Sequence, residues 1–480
     1  MPPIFQTMLS PLTRRTAVKA SSLGFLTLPF AKSAKAAVKP AQRLAIIGGG
    51  IGGVASAYFA GPEWSIDLFE SRDRLGGHAD TIQVNVEGES CPVDVGADFF
   101  APQSHPLYWA FLEHVGIRTP DNAKTDLTIQ TKSSLNIFSK NDGDSLFNSI
   151  NTLSHPIHAV SFLRFTQEAR EWISGDAPYS VSMGEWIDNL ILPQTFKDNV
   201  LTPWLSSLSC SKVIDVRRQS ARSHLRVVAK NFPKNPLAPI ITYHAKIGLG
   251  GYIQFLQNRC ENLSVKLNAA VSRLEEVNGQ WFVTTSSGRD GPYDAVVVNA
   301  PPHVSKNFFS SIPWASELAS LLGRQEYFPA RVVVHTDPVY MPLDRKTWAS
   351  QNVEVDSQFG ESSHDVGSFY ESVTTKKLSL FKSWASHRNN ESKKILMTRD
   401  FVHPLSTPES LDAIKSLRDW QGRAGLYFSG HFTAVTDLHE TALFSALETA
   451  RRISPDSKNV LAFEQLIADQ GLDSIDYNVP

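Results

Sequence analysis

Cysteine is nearly missing from this chain. Its 480 residues hold three, Cys91, Cys210 and Cys260, far apart and without a C-x-x-C pair, which argues against a disulfide framework and a structural zinc site. An excess of charge of either sign is missing too. The formal net charge is -2, so nucleic acid is not an expected partner. The 14 histidines show no metal-ligand spacing and no H-E-x-x-H, so no metal is expected. Between residues 40 and 480 there is no repeat and no low-complexity tract.

Acidic side chains are absent from the first 43 residues. Within them Thr13-Arg14-Arg15-Thr16-Ala17-Val18-Lys19 stands before an apolar stretch from Ala20 to Phe30 that is too short, and too broken by serine, threonine and Pro29, to span a bilayer. The pattern resembles a twin-arginine export signal, with Ala34-Lys35-Ala36 as the small-x-small cleavage site. Residues 1–36 are read as that signal, which places the mature protein in the periplasm or outside the cell. An organellar transit peptide is the alternative.

What the chain does have is apolar content of 42%, ordinary for a globular protein, in a length sufficient for two domains. Leu44 to Ile47 is an apolar run fit for a buried parallel strand. It feeds into Gly48, Gly50 and Gly53 at G-x-G-x-x-G spacing, with Gly52 inside the run. The first glycine permits a tight turn, the second lets the backbone approach a pyrophosphate, and the third lets the next helix pack on the strand. That helix, carrying Val54, Ala57, Tyr58 and Phe59, points its N-terminal amides at the phosphates. Trp64 to Phe69 reads as a second strand, and Glu70 at its end accepts hydrogen bonds from ribose hydroxyls.

The run Glu70-Ser-Arg72-Asp-Arg74-Leu-Gly76-Gly77-His78, followed by Val93-Asp94-Val95-Gly96-Ala97, resembles the FAD-binding N-terminus of the flavin amine oxidase superfamily, which includes phytoene-desaturase-like and protoporphyrinogen-oxidase-like enzymes. Three later segments agree. Gly248-Leu-Gly250-Gly251-Tyr252, with Val265 to Val271 after it, looks like the strand along the adenine. Asp294 to Pro301 looks like the strand and turn closing the nucleotide domain. Gly425 to His431, with Asp437-Leu438-His439-Glu440 after it, looks like the C-terminal FAD motif. Val334 to Pro338, Met341-Pro342 and Trp348-Ala349-Ser350 resemble a bacterial group of FAD-dependent oxidoreductases within that superfamily. The genes of that group are often associated with cyclopropane-fatty-acid-synthase-like enzymes.

The resemblance implies an α/β fold: a Rossmann-like FAD-binding domain of the glutathione-reductase-like type, with an interleaved α+β substrate domain. The nucleotide pieces fall at 40–115, 240–310 and 420–460, the substrate pieces at 116–239 and 311–419, and a tail at 461–480. In the second substrate piece a strand over Arg331 to His335 and a helix from Glu409 to Trp420, capped by Thr407 and opened by Pro408, are expected. The first is read as mainly helical, with Trp172, Trp186 and Trp204 as core, or alternatively as an aromatic-lined cavity.

Cofactor contacts are expected from Gly48, Gly50, Gly52, Gly53, Glu70, Arg72, Arg74, Gly76, Gly77, His78, Val271, Gly430, His431, Leu438 and His439. No cysteine stands near the C-terminal motif, so FAD is expected to be held without a covalent bond. Many amine oxidases of the superfamily place a lysine near flavin N5. By rough alignment that strand is Arg331 to His335, where no lysine occurs and Arg331 is the substitute. His335 with Asp337 as an acid/base pair, and His439 beside the isoalloxazine, complete the catalytic candidates; a hydrogen-bonded strand-end histidine is the alternative for His335.

Flavin chemistry asks the protein mainly to orient a substrate carbon and tune the cofactor. The activity expected is removal of a hydride equivalent from a C–H bond of a hydrophobic, lipid-like or amine substrate. An amine oxidase releasing aldehyde and hydrogen peroxide, and a flavoprotein without turnover, are the alternatives. Expected partners are a small-molecule substrate, the export machinery and, transiently, a membrane or lipid.

Overall fold

Four apolar residues with almost no exposure, Leu44 to Ile47, end the first strand, Gln42–Ile47. A strand so completely buried must be covered on both faces and paired on both edges. In the computed structural model it is the middle of an all-parallel five-stranded sheet, with Ala295–Val298 and Leu426–Phe428 on one side and Trp64–Phe69 and Leu263–Lys266 on the other. The described residues are 42–480 apart from 118–120, 126, 132–133, 140–155, 236–237, 239, 246 and 371–376. The leader segment lies outside them.

The helix Ile51–Ala60 is buried along its whole length, because it lies between the sheet and the last long helix pair. Those two helices, His439–Ile453 and Lys458–Asp469, correct the expectation of a tail at 461–480. Val460, Phe463 and Ile467 recur at helical spacing and bury in the same core, and Tyr477 and Val479 beyond them are buried as well.

A second, seven-stranded sheet is built from both intervening pieces. Ile395–Leu405 lies at one edge, then Glu326–His335 and Phe381–Trp384, and the far edge comes from Leu127–Gln130 and Leu135–Ser139. The expected strand at Arg331 to His335 is the end of one longer strand. The helix Pro408–Leu417 starts as expected: Thr407 caps it by accepting from the Ser410 amide at 3.1 Å.

Helices dominate residues 156–231, and their core packs Trp186 and Trp204 against Phe162 and Phe165. These tryptophans are core, and none of the three lines the main cavity. No helix among the described residues is long and apolar enough to cross a membrane.

Candidate functional site

The turn after the first strand has almost no room for side chains. Gly48 has φ +103°, a Cβ on Gly53 would overlap the Gly48 carbonyl oxygen, and one on Gly52 would overlap the Asn299 side chain. Asn299 Nδ2 donates to Gly48 O at 3.0 Å, so the turn after Ala295–Val298 clamps the first one. The helix beginning at Ile51 has no side-chain cap, which leaves its first amides without an acceptor from a capping residue. A narrow glycine cradle below uncapped helix amides is what a dinucleotide pyrophosphate requires, so these residues fit FAD.

From this cradle one cavity of about 650 Å³ runs across the molecule. Near the turn it is walled by Gly48, Gly50, Gly52, Glu70, Arg72 and Val271. Further along come Gly76, Gly77, His78, Gly430, His431, Leu438 and His439. Its far end lies under the second sheet and the helical piece, with Trp384, His403, Leu208, Cys210 and Val227 on the wall.

Two carboxylates organise the deeper wall. Asp98 faces Lys382 Nζ at 3.3 Å and His364 Nδ1 at 3.3 Å. Burial raises its pKa, but Lys382 and His364 outweigh that and bring the carboxyl down to about 2. Asp437 has His403 Nδ1 at 3.4 Å and His431 Nδ1 at 3.1 Å. The second contact is electrostatic, without hydrogen-bond alignment. Burial opposes the Asp437 charge, yet His431, His403 and His78 together hold it well below the usual carboxylate range.

Several imidazoles on this wall are neutral at neutral pH. Burial, with His403 adding to it, pushes His78 down to about 3. His439 is pushed to about 3 by burial and then by His105, which burial itself brings to about 4. His78 therefore supplies no positive charge to the cavity wall. His439 sits at the start of the last long helix with its Nε2 buried and unpartnered, its ring edge-on to Tyr108 at 4.5 Å.

Glu70 is on the wall, with its carboxylate already held: Oε2 accepts from the Gly49 amide at 2.7 Å and Oε1 from the Arg72 amide at 2.8 Å. Arg74 and Gly53 are not on it. Arg74 pairs with Asp80 at 2.7 Å and donates to the Leu75 and Gly77 carbonyls, so it braces the second glycine pair from behind. Gly53 serves the packing of helix on strand.

Two catalytic candidates are also placed elsewhere. Arg331 is more than half exposed and forked onto Asp400 at 2.8 and 3.3 Å. His335 is fully buried off the cavity, its Nδ1 2.7 Å from the Asp337 carbonyl and its Nε2 2.8 Å from Ser383 Oγ. That matches its alternative reading, a hydrogen-bonded strand-end histidine.

Sequence reasoning missed Lys382. It sits on the neighbouring strand Phe381–Trp384, buried, donating to Gly96 O at 2.8 Å beside Asp98. The available signal was a lone lysine within the apolar run Leu378 to Trp384. His403 was missed as well. No spacing in the sequence links it to Asp437, since the two meet only when the Ile395–Leu405 strand passes over the start of the last long helix.

A polyamine oxidase 4 of Oryza sativa subsp. japonica is 23% identical over 337 residues, covering 68% of this chain, which matches 63% of that protein's length. Among solved structures, wild-type putrescine oxidase bound to putrescine superposes with a TM-score of 0.60 at 12% identity, covering 86% of this chain and 98% of the other. A CLA-producing fatty acid isomerase from P. acnes gives 0.59 at 13%, with the same coverage. Residues 58–400 match the model of the flavin containing amine oxidoreductase family, and the chain belongs to that family.

Proposed function

We propose that the protein removes a hydride equivalent from a C–H bond next to nitrogen in a small-molecule amine. FAD would be held without a covalent bond along the cavity, in a Rossmann-like nucleotide-binding layer. When bound, FAD supplies the two-electron acceptor at N5. Gly48, Gly50 and Gly52 would hold its pyrophosphate, Glu70 its ribose and Val271 its adenine side, and Gly76, Gly77, Leu438 and His439 would border the flavin end.

The observation that carries the reading is the continuity of one cavity, from the glycine cradle to the wall formed by Trp384 and His403. FAD held at the glycine cradle would leave the part of the cavity beside Trp384 and His403 for a substrate. The polyamine and putrescine oxidases among the similar proteins support an amine as substrate.

Anaerobic mixing of the yellow protein with amines tests it. Bleaching by an amine, followed by recovery in air with aldehyde and hydrogen peroxide, makes it an amine oxidase. A panel of amines that leaves the flavin oxidised overturns the reading.

A second reading, a lipid-like substrate, is favoured by the apolar side chains of Leu208, Val227, Val402 and Phe99 along the cavity, and by the likeness to a fatty acid isomerase. Bleaching by unsaturated or methyl-branched acyl lipids alone, with slow recovery in air, would establish it. Twin-arginine export of the loaded protein accords with the leader, since that route carries folded clients.

A further inference from the structure

The seven-stranded sheet has one end whose loops take no part in lining the main cavity. There the strand Glu326–His335 finishes and the strand Ile395–Leu405 begins. Two stretches at this end, 336–348 and 390–394, are pinned to each other. The Tyr340 hydroxyl donates to Asn390 O at 2.9 Å and accepts from the Ser392 amide at 3.1 Å. The Asp337 carboxylate accepts from Ser392 Oγ at 2.7 Å and from the Lys393 amide at 2.8 Å, and the Thr336 amide donates to Lys394 O at 3.1 Å. Trp348 Nε1 donates to Pro342 O at 2.7 Å and closes the longer stretch into a loop.

On this braced frame the apolar side chains are divided. Tyr340, Met341 and Pro342 are buried, yet Leu343 beside them is 95% exposed, and Val339, Ile395 and Leu396 are exposed too. Single apolar residues on a surface are ordinary, but four at one end of a sheet, on loops tied together, mark a contact site. Cations flank them. Arg345 and Lys346 follow Leu343, Lys393 and Lys394 precede Ile395, and all four are exposed. None of them forms an ion pair among the described residues, and the Arg345 guanidinium lies over the Trp348 ring at 4.7 Å. The acids of the two stretches are mostly engaged: Asp337 as above, and Asp344 by accepting from the Lys346 amide at 3.0 Å. Only Glu391 has no hydrogen bond among the described residues.

We propose that this end of the sheet docks the protein on an anionic lipid surface. Leu343, Ile395 and Leu396 enter the headgroup layer, and Arg345, Lys346, Lys393 and Lys394 meet lipid phosphates. Apolar side chains flanked by cations match such a surface, since the first leave water while the second stay at headgroup level. A polyanion without an apolar layer would use the cations and leave the leucines in water. A second copy of the same patch would set cations against cations. The docking is peripheral, because no described helix is long and apolar enough to cross a membrane. It is independent of which substrate the protein oxidises. The strand that starts at Ile395 reaches the cavity wall at Asp400 and Val402, about 20 Å further along, so a docked molecule holds its cavity near the lipid.

The test is flotation of the full-length, FAD-loaded protein with vesicles of phosphatidylcholine alone and of phosphatidylcholine with about 30% phosphatidylglycerol. Wild type is expected to float with the anionic vesicles only, and high salt should release it. Leu343→Asp, and separately Lys393→Gln combined with Lys394→Gln, should each weaken that binding by about tenfold or more, at about fivefold per cation removed. These side chains are exposed, so folding and flavin content should not change. Leu461→Asp, at an exposed leucine of the helix Lys458–Asp469, is the control and should float as wild type does. The leader is common to all four proteins and cancels in the comparison. Wild type that stays off anionic vesicles, or variants that float equally well, overturn the proposal. Retention on heparin without flotation also overturns it and assigns the cations to a polyanion. A wild-type dimer in sedimentation that Leu343→Asp dissociates without lipid overturns it in favour of a second copy.

Discussion

The Tyr477 hydroxyl donates to Glu440 Oε1 at 2.8 Å, and so ties the C-terminus to the first turn of the last long helix. The same carboxylate accepts from the Leu107 and Tyr108 amides at 3.0 and 2.7 Å, capping the helix Pro106–His114 from outside. One buried acid thus joins three segments next to His439.

Burial pushes Glu440 from its ordinary 4.5 up to about 7. The folded state then holds a proton that the unfolded chain has released, so this group makes stability fall as pH rises from about 4.5 to 7, by on the order of 3 kcal/mol. Glu440→Gln removes that slope and loses one amide contact. The variant should be less stable than wild type at pH 5 and approach it at pH 8. Denaturant unfolding at the two pH values measures the crossing.

Lys382→Met removes the lysine ammonium from Asp98 and leaves it only imidazole partners, His364 and, at longer range, His244. Breaking one side of a buried pair costs about 3–5 kcal/mol. Asp98 has a depressed pKa, so its contribution is present above the ordinary aspartate range and is lost as pH falls through about 2. The stability gap between variant and wild type should be full at neutral pH and narrow in acid below pH 4, as followed by unfolding titrations.

Gly53→Ala puts a methyl into the Gly48 carbonyl oxygen, a backbone atom that moves only with the whole turn. A cost of about 1–3 kcal/mol and a fall in bound flavin per protein are expected. Gly323→Ala is the matched control. Its nearest neighbour is Lys306 Cδ at 3.9 Å and its helix is regular, so it should gain about 0.4–1 kcal/mol and leave flavin content unchanged. Absorbance ratios of the purified variants measure both.

The first sheet was legible because its signals are local: an apolar run, a glycine turn and a helix within twenty residues. Thr407 and Pro408 marked a helix start for the same reason. What was not legible depends on register between distant strands. Lys382 and Arg331 lie on adjacent strands, with Val332 opposite Trp384 and Val334 opposite Lys382, and the pairing of Lys382 with Asp98 follows from that register rather than from any local pattern. Arg74 looked like a cofactor contact until Asp80 was found beside it. The helix Lys458–Asp469 carries no nucleotide-binding signature, only the packing pattern of Val460, Phe463 and Ile467.

Cys210 bears on how the flavin is held. It ends the helix Thr202–Ser209 at φ 59°, a left-handed position that favours glycine, and stands on the cavity wall. Burial pushes its thiol well above the usual range, so it stays protonated and is a poor nucleophile toward a cofactor. Acid precipitation of the yellow protein should therefore release all its flavin to the supernatant. Cys210→Gly should relieve the left-handed strain, raising stability by about 1 kcal/mol, with unchanged flavin content. Flavin retained in the acid pellet of wild type and freed in the variant would instead show a thioether at this residue.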